Sequence, residues 1–174
     1  MTSDFRKQYG LENKIILLVV ANAWSQRKGL DSVEALSKQL GARYQIIMVG
    51  ALHGEKIPDK VIHIDHTASQ EVLAAIYSTA DVYMNLSYEE TQGLTTTEAL
   101  ACGTPVIVNN CTAIPESIDE SCGVVVDSRN MQSILNGIEK ARGMKASDCV
   151  RHAARYDKRK CFMQYIEMYK EISK

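Results

Sequence analysis

Two glutamates, Glu90 and Glu98, stand eight positions apart, with a single glycine, Gly93, between them and three threonines, Thr95, Thr96 and Thr97, after it. Paired carboxylates can grip hydroxyl groups, face developing positive charge or move protons. The residues between them indicate what they flank. Thr95 and Glu98 have the spacing of a capping box, which predicts a helix whose unpaired N–H groups gather just after Gly93 and Leu94. Gly103 falls where a left-handed C-cap belongs and Pro105 prevents continuation, so this helix is expected to end at Cys102. A strand passing through a glycine turn into a helix start makes an anion site, because free amides and the helix dipole both favour negative charge. The amides around Gly93, Leu94 and Thr95 are therefore candidate phosphate ligands. Each acid also has a plainer reading. Glu98 can serve only as the capping acid, and Glu90, beside Glu89, only as a solvated loop charge.

A pair of cations points to the same kind of ligand. Arg27 and Lys28 precede a helix whose apolar residues Leu30, Val33, Leu36 and Leu40 recur at helical spacing and which Gly41 ends. A cation there opposes the helix dipole at a cost of roughly 0.3–1 kcal/mol. Asp31 and Glu34 can offset this cost, but an anionic ligand beside Lys28 explains the placement better.

The run from Glu90 through Thr-Gln-Gly-Leu-Thr-Thr-Thr to Glu98 and on through Ala-Leu-Ala-Cys-Gly-Thr-Pro-Val106 resembles a motif of the retaining GT-B glycosyltransferases. These form glycosyltransferase family 4, also called glycosyl transferases group 1, and the motif is E-G-F-G-L-x-x-x-E-A-M-A-x-G-x-P-V. The match is contiguous over seventeen residues. The segment A-N-A-W-S-Q-R-K-G-L-D, Ala21 to Asp31, resembles the R-K-G stretch of the same enzymes.

The resemblance implies that Lys28 contacts donor phosphates and that Glu98 takes the ribose diol. It implies that Glu90 is the catalytic carboxylate, orienting the donor sugar and meeting the charge that develops on it either as nucleophile or as electrostatic partner, and that the nucleobase lies near Ile64. Where the family often has a phosphate-binding arginine this chain has Asn22, leaving Arg27 as the candidate substitute. In place of the family's G-G-x-x-E it has Cys111-Thr-Ala-Ile-Pro-Glu116, so only Glu116 matches. There is no D-x-D for a metal–diphosphate clamp, and His63, Asp65 and His66 gain no further ligand, so no cofactor or metal is expected.

The expected reaction is transfer from a nucleotide diphosphate sugar, a UDP-hexose or UDP-N-acetylhexosamine, to a lipid-linked acceptor. The wording of both motifs is similar to bacterial enzymes of O-antigen or capsule synthesis. This places the expected reaction in the cytoplasm at the inner membrane face, with peripheral membrane contact through the full-length enzyme. The alternative is a nucleotide-binding or regulatory module of the same fold without chemistry.

These residues need strands to carry them to one edge. Ile15 to Ala21 is a continuous apolar run, as in a strand covered on both faces. Further strands are expected over Tyr44–Val49, Val61–Ile64, Asp81–Ser87, Pro105–Val108 and Cys122–Val126. Helices over 69–80, 131–141 and 147–156 alternate with them. Val72, Leu73, Ile76 and Tyr77 should face inward, with Ser69 as N-cap. The alternation predicts an α/β, Rossmann-like, doubly wound parallel sheet, which by resemblance is the C-terminal half of a GT-B fold. Lys28 and Glu90 then share the carboxyl edge, where such sheets bind ligands.

Residues 1–13 read as a lead-in or linker, 14–157 as the donor-binding domain and 158–174 as a C-terminal helix that covers the core or, by the resemblance, crosses to the other domain with part of its apolar stripe exposed. The acceptor-binding N-terminal half is expected to lie outside these 174 residues, which should bind nucleotide and transfer sugar poorly. A net charge of −1 gives no reason to expect nucleic acid. Five cysteines without C-x-x-C spacing read as reduced thiols. No G-x-G is present, so a dinucleotide-binding oxidoreductase lacks its pyrophosphate fingerprint.

Overall fold

The apolar run becomes the central strand of a six-stranded, wholly parallel sheet. The computed structural model describes residues 2–173; Met1 of the expected lead-in and Lys174 of the expected C-terminal helix lie outside the described residues. The elements run α1 (Thr2–Gln8), β1 (Ile15–Trp24), α2 (Leu30–Gln39), β2 (Tyr44–Leu52), β3 (Val61–Ile64), α3 (Gln70–Thr79), β4 (Val82–Asn85) and α4 (Leu94–Ala101). Then come β5 (Val106–Asn109), β6 (Gly123–Val126), α5 (Met131–Ala141), α6 (Ala146–Ala153) and α7 (Lys158–Ile172). The strand order is β3-β2-β1-β4-β5-β6, a doubly wound α/β arrangement.

Both faces of β1 are covered because its side chains alternate between two apolar layers. Ile15, Leu17, Val19 and Ala21 pack with Leu30, Val33 and Leu36 of α2 and Ile134 and Ile138 of α5. Ile16 and Leu18 pack with Ile76 and Tyr77 of α3, Leu100 of α4 and Cys149 of α6. Ile16, Leu17 and Leu18 are fully buried, and each contributes roughly 1.5–3 kcal/mol through burial. Trimming one to alanine should cost about 2–5 kcal/mol.

Four expectations are corrected. β1 runs beyond Ala21 to Trp24, with a register irregularity between Val20 and Ala23 where it pairs with β2. The supposed lead-in contains α1, whose Phe5 joins the core beside the buried Leu11. Arg6 fastens it by donating to the Thr79 carbonyl at 2.8 Å and to the Asp81 carboxylate at 2.9 Å. Val72 is exposed; the inward face of α3 is Leu73, Ile76 and Tyr77. α7 covers no core, since none of its residues is buried. Asp157 caps it, accepting from the Arg159 and Lys160 amides, and Phe162, Tyr165, Ile166, Tyr169 and Ile172 stay exposed.

Candidate functional site

β1 and β4 are neighbours in the sheet, and the strand order reverses between them. Chains leaving these two strands diverge to opposite faces and open a crevice beyond the carboxyl ends. The irregularity at 20–23 puts Asn22 on the wall of that crevice. The chain then makes a 3-10 turn, Gln26–Lys28, and passes through Gly29 into α2. Gly29 has φ 76°, and a Cβ there would lie 2.3 Å from the Leu86 carbonyl oxygen. Only glycine lets this turn sit directly on the end of β4, and that close approach delivers Lys28 to the loop bearing Glu90.

On the other wall α4 begins at Gly93, itself left-handed at φ 63°. The three threonines after it do three different jobs. Thr95 accepts a 2.7 Å hydrogen bond from the buried Tyr83 hydroxyl. Thr96 accepts from the buried Asn85 amide at 3.1 Å. The Thr97 hydroxyl donates to the Leu94 carbonyl. Two of these bonds moor the helix start to β4. The expected capping box does not form, because Gly93 and not Thr95 occupies the N-cap. Glu98 instead accepts from the Tyr77 hydroxyl at 3.0 Å. Burial, with the neighbouring Tyr83 and Glu98, pushes the Tyr77 hydroxyl far above its usual ionisation range, so it stays a neutral donor. Among the described residues the amides of Gly93, Leu94 and Thr95 have no protein acceptor. Gly103, at φ 80°, closes the helix as expected.

The loop between β4 and α4 is pinned residue by residue. The Ser87 amide donates to Asn85 Oδ1 and its carbonyl accepts from Asn109. The Tyr88 amide donates to the Arg27 carbonyl at 2.9 Å and its hydroxyl to Asp31, while Arg129 lies 5.1 Å over its ring. Glu90 Oε1 lies 2.5 Å from Lys28 Nζ, with both side chains largely screened from solvent.

Two adjoining cavities follow the crevice. One, of about 300 Å³, is lined by Asn22, Lys28, Glu90, Gly93, Leu94 and Thr95 among others. The second, of about 290 Å³, is lined by Gly50, Asp65, His66, Thr67, Leu73 and Glu98. They share Val20, Ala21, Asn22 and Thr95. An anion in the first can meet one ammonium group and three unpaired amides, and an attached diol can reach Glu98 in the second. Each hydrogen bond between charged and polar partners is worth about 1.5–3 kcal/mol.

Of the residues singled out in the sequence, Lys28, Glu90, Gly93, Leu94, Thr95 and Glu98 are thus gathered on one crevice. Arg27 is not; its place on the 3-10 turn is exposed and off both walls. Ile64 packs against the core, and the wall is made by the residues after it. Glu116 lies exposed on a separate 3-10 turn, Ile114–Ser117. Tyr83 and Asn85 were not singled out in the sequence, and Tyr77 was read only as core; apolar periodicity marks such positions as buried and says nothing of where their polar ends point.

A second polar cluster lies away from the crevice. Among the described residues, Asp119, Cys122 and His152 bring metal-ligand atoms within 4.8 Å of one another. Their polar atoms already have partners. His152 Nδ1 meets Asp119 at 2.9 Å and Nε2 meets the Ser117 carbonyl at 3.0 Å, while Asp119 also accepts from Ser121. Arg155 stands 3.8 Å from the same carboxylate, and burial pushes the Cys122 thiol up. The cluster ties α6 to the segment before β6.

Residues 1–160 match the family described as Glycosyl transferases group 1. An O-antigen biosynthesis glycosyltransferase of Escherichia coli is 26% identical over 80% of this chain and 41% of its own length. An N,N'-diacetylbacillosaminyl-diphospho-undecaprenol alpha-1,3-N-acetylgalactosaminyltransferase of Campylobacter jejuni is 22% identical over 98% of this chain and 48% of its own. Among solved structures, Anabaena HepE in complex with UDP-glucose superposes with a TM-score of 0.83 at 20% identity, covering 98% of this chain and 52% of that one. The chain therefore spans about half the length of such relatives. With the match running through every strand and both walls of the crevice, the chain belongs to the glycosyl transferases group 1 family.

Proposed function

We propose that the chain is the donor-binding half of a retaining, metal-independent glycosyltransferase that uses a UDP-hexose or UDP-N-acetylhexosamine. Its proposed acceptor is a lipid-linked saccharide of the O-antigen or capsule type, met at the cytoplasmic face of the inner membrane. The observation that carries this reading is the convergence of Lys28, Glu90 and the unpaired amides of Gly93–Thr95 on one cavity, with Glu98 in the next. The diphosphate lies between Lys28 and the start of α4, and the ribose diol donates to Glu98. The uracil lies against Asp65–Thr67, and the sugar faces Glu90.

As the bond from the anomeric carbon to the diphosphate oxygen breaks, negative charge grows on the leaving group. Donors already aimed there need no reorganisation, and each important one stabilises that charge by about 2.7–4 kcal/mol. Glu90 faces the complementary positive charge on the sugar. The UDP-glucose bound to the Anabaena neighbour, the undecaprenol-linked substrate named for the Campylobacter relative and the O-antigen relative support the donor and acceptor classes. The crevice of this chain holds the donor, and the chain spans about half the length of such relatives; the 174 residues by themselves should therefore bind donor and transfer little.

Calorimetric titration with UDP, GDP and ADP tests the reading, repeated with EDTA. UDP should bind tightest, EDTA should leave its affinity unchanged, and Glu98→Ala should weaken all three by roughly tenfold through loss of the ribose contact. Equal affinity in the Glu98→Ala variant removes the ribose assignment.

A further inference from the structure

We propose that Thr112 is a positioning residue that fixes the backbone of Glu90, and through it the carboxylate's aim at the donor sugar. The purpose of this clamp rests on the reading of Glu90 given above. Thr112 has φ 49°, in the left-handed region. A β-branched residue rarely sits there, and such outliers persist where surrounding contacts demand them. The demand is visible. The Thr112 hydroxyl accepts from the Glu90 amide at 3.1 Å and donates to the Glu90 carbonyl at 3.0 Å. These two bonds bridge loops 22 positions apart in sequence.

Glu90 gains no other backbone hydrogen bond among the described residues. Cys111, next to Thr112, lies against the Tyr88 carbonyl. Consecutive residues after β5 thus meet the loop after β4 on both sides of Glu89. An acid on an untethered exposed loop would sample many positions; here the carboxylate is presented toward Lys28 before any ligand arrives.

The test compares Thr112→Val, which keeps the branch and loses the hydroxyl, with Thr112→Ser, which keeps the hydroxyl. Thr112→Gly is added because it relieves the backbone and also lacks the clamp. Two quantities are read on each: amide exchange at Glu90, and the ratio of affinities for UDP-glucose and UDP. Thr112→Val and Thr112→Gly should speed Glu90 exchange at least about tenfold. They should lower the affinity ratio roughly three- to tenfold with UDP affinity itself unchanged. Thr112→Ser should restore both. Unchanged exchange in Thr112→Val overturns the clamp. Equal losses for UDP and UDP-glucose mean a merely structural role and overturn the positioning claim. If the unsubstituted chain binds neither ligand, the functional reading and the clamp's purpose both fail, while Glu90 exchange still decides whether the clamp exists.

Discussion

At the scale of single residues, Lys28 and Glu90 occupy one another in the free chain. Their 2.5 Å ion pair must open, or lengthen, when a diphosphate claims the ammonium group. Glu90→Gln therefore frees Lys28 and removes a like charge from the anion's neighbourhood. UDP should bind this variant a few-fold tighter, the scale of one weak ion pair, even though sugar transfer by any complete enzyme would fall. A calorimetric titration reads it, and weaker binding would show that Glu90 itself helps hold the diphosphate. Gly29→Ala should lower stability by about 1–3 kcal/mol from its left-handed backbone alone, and more from the clash with the Leu86 carbonyl; a thermal melt unchanged within a degree would contradict this. Lys28 was legible in the sequence because the dipole argument is local, and Glu90 only through the motif it resembles. Their contact was not, since no spacing rule links residues 62 positions apart. Nor was the exclusion of Arg27, which depends on how the 3-10 turn rotates Lys28 inward and its neighbour outward.

Among the elements, α4 shows both how far local signals reach and where they stop. Its stop near Gly103 follows from turn chemistry written in the chain, while its start at Leu94 comes earlier than the Thr95 cap that chemistry suggested. The capping box fails because a left-handed glycine already enters the helix, leaving Thr95 and Glu98 free for partners on β4 and α3. Those partners, Tyr83 and Tyr77, stack edge-to-face at 5.7 Å beneath the helix. Tyr77→Phe should keep the packing and lose the bond to Glu98, costing about 1 kcal/mol of stability and weakening UDP binding more than phosphate binding. Loss of phosphate affinity to the same extent would contradict a ribose role for Glu98.

The α6 clamp adds a pH dependence. The Ser121 hydroxyl first, then the Ser121 amide and His152, hold the Asp119 carboxyl well below the usual carboxylate range. A depressed carboxyl stabilises the fold above its ordinary titration near pH 4, and the contribution is lost as pH falls through the lower folded value. Asp119→Asn should thus lower the melting temperature at pH 7 by roughly 2–4 °C. It should also flatten the decline toward acid. A melting curve against pH identical in shape to that of the unsubstituted chain would contradict the assignment.

At the scale of the whole molecule, the doubly wound parallel sheet was readable from apolar runs alternating with helical periodicity, because a parallel core leaves continuous hydrophobic strands; its strand order was not, because no local pattern says which strands pair. The course of α7 was not, because an amphipathic stripe looks the same whether it faces this core or another surface. None of its residues is buried, so the stripe does not cover this core. Ending the chain after Asp157 should therefore move the melting temperature by less than about 2 °C; a drop beyond about 5 °C would mean that α7 supports the fold. The central claim concerns the crevice: a diphosphate held between Lys28 and the first amides of α4. Titration of Lys28→Ala with UDP and with uridine tests it most directly. UDP affinity should fall at least tenfold, by about 1.5–3 kcal/mol, with uridine affinity unchanged. Equal affinity of the variant and the unsubstituted chain for UDP would contradict the account.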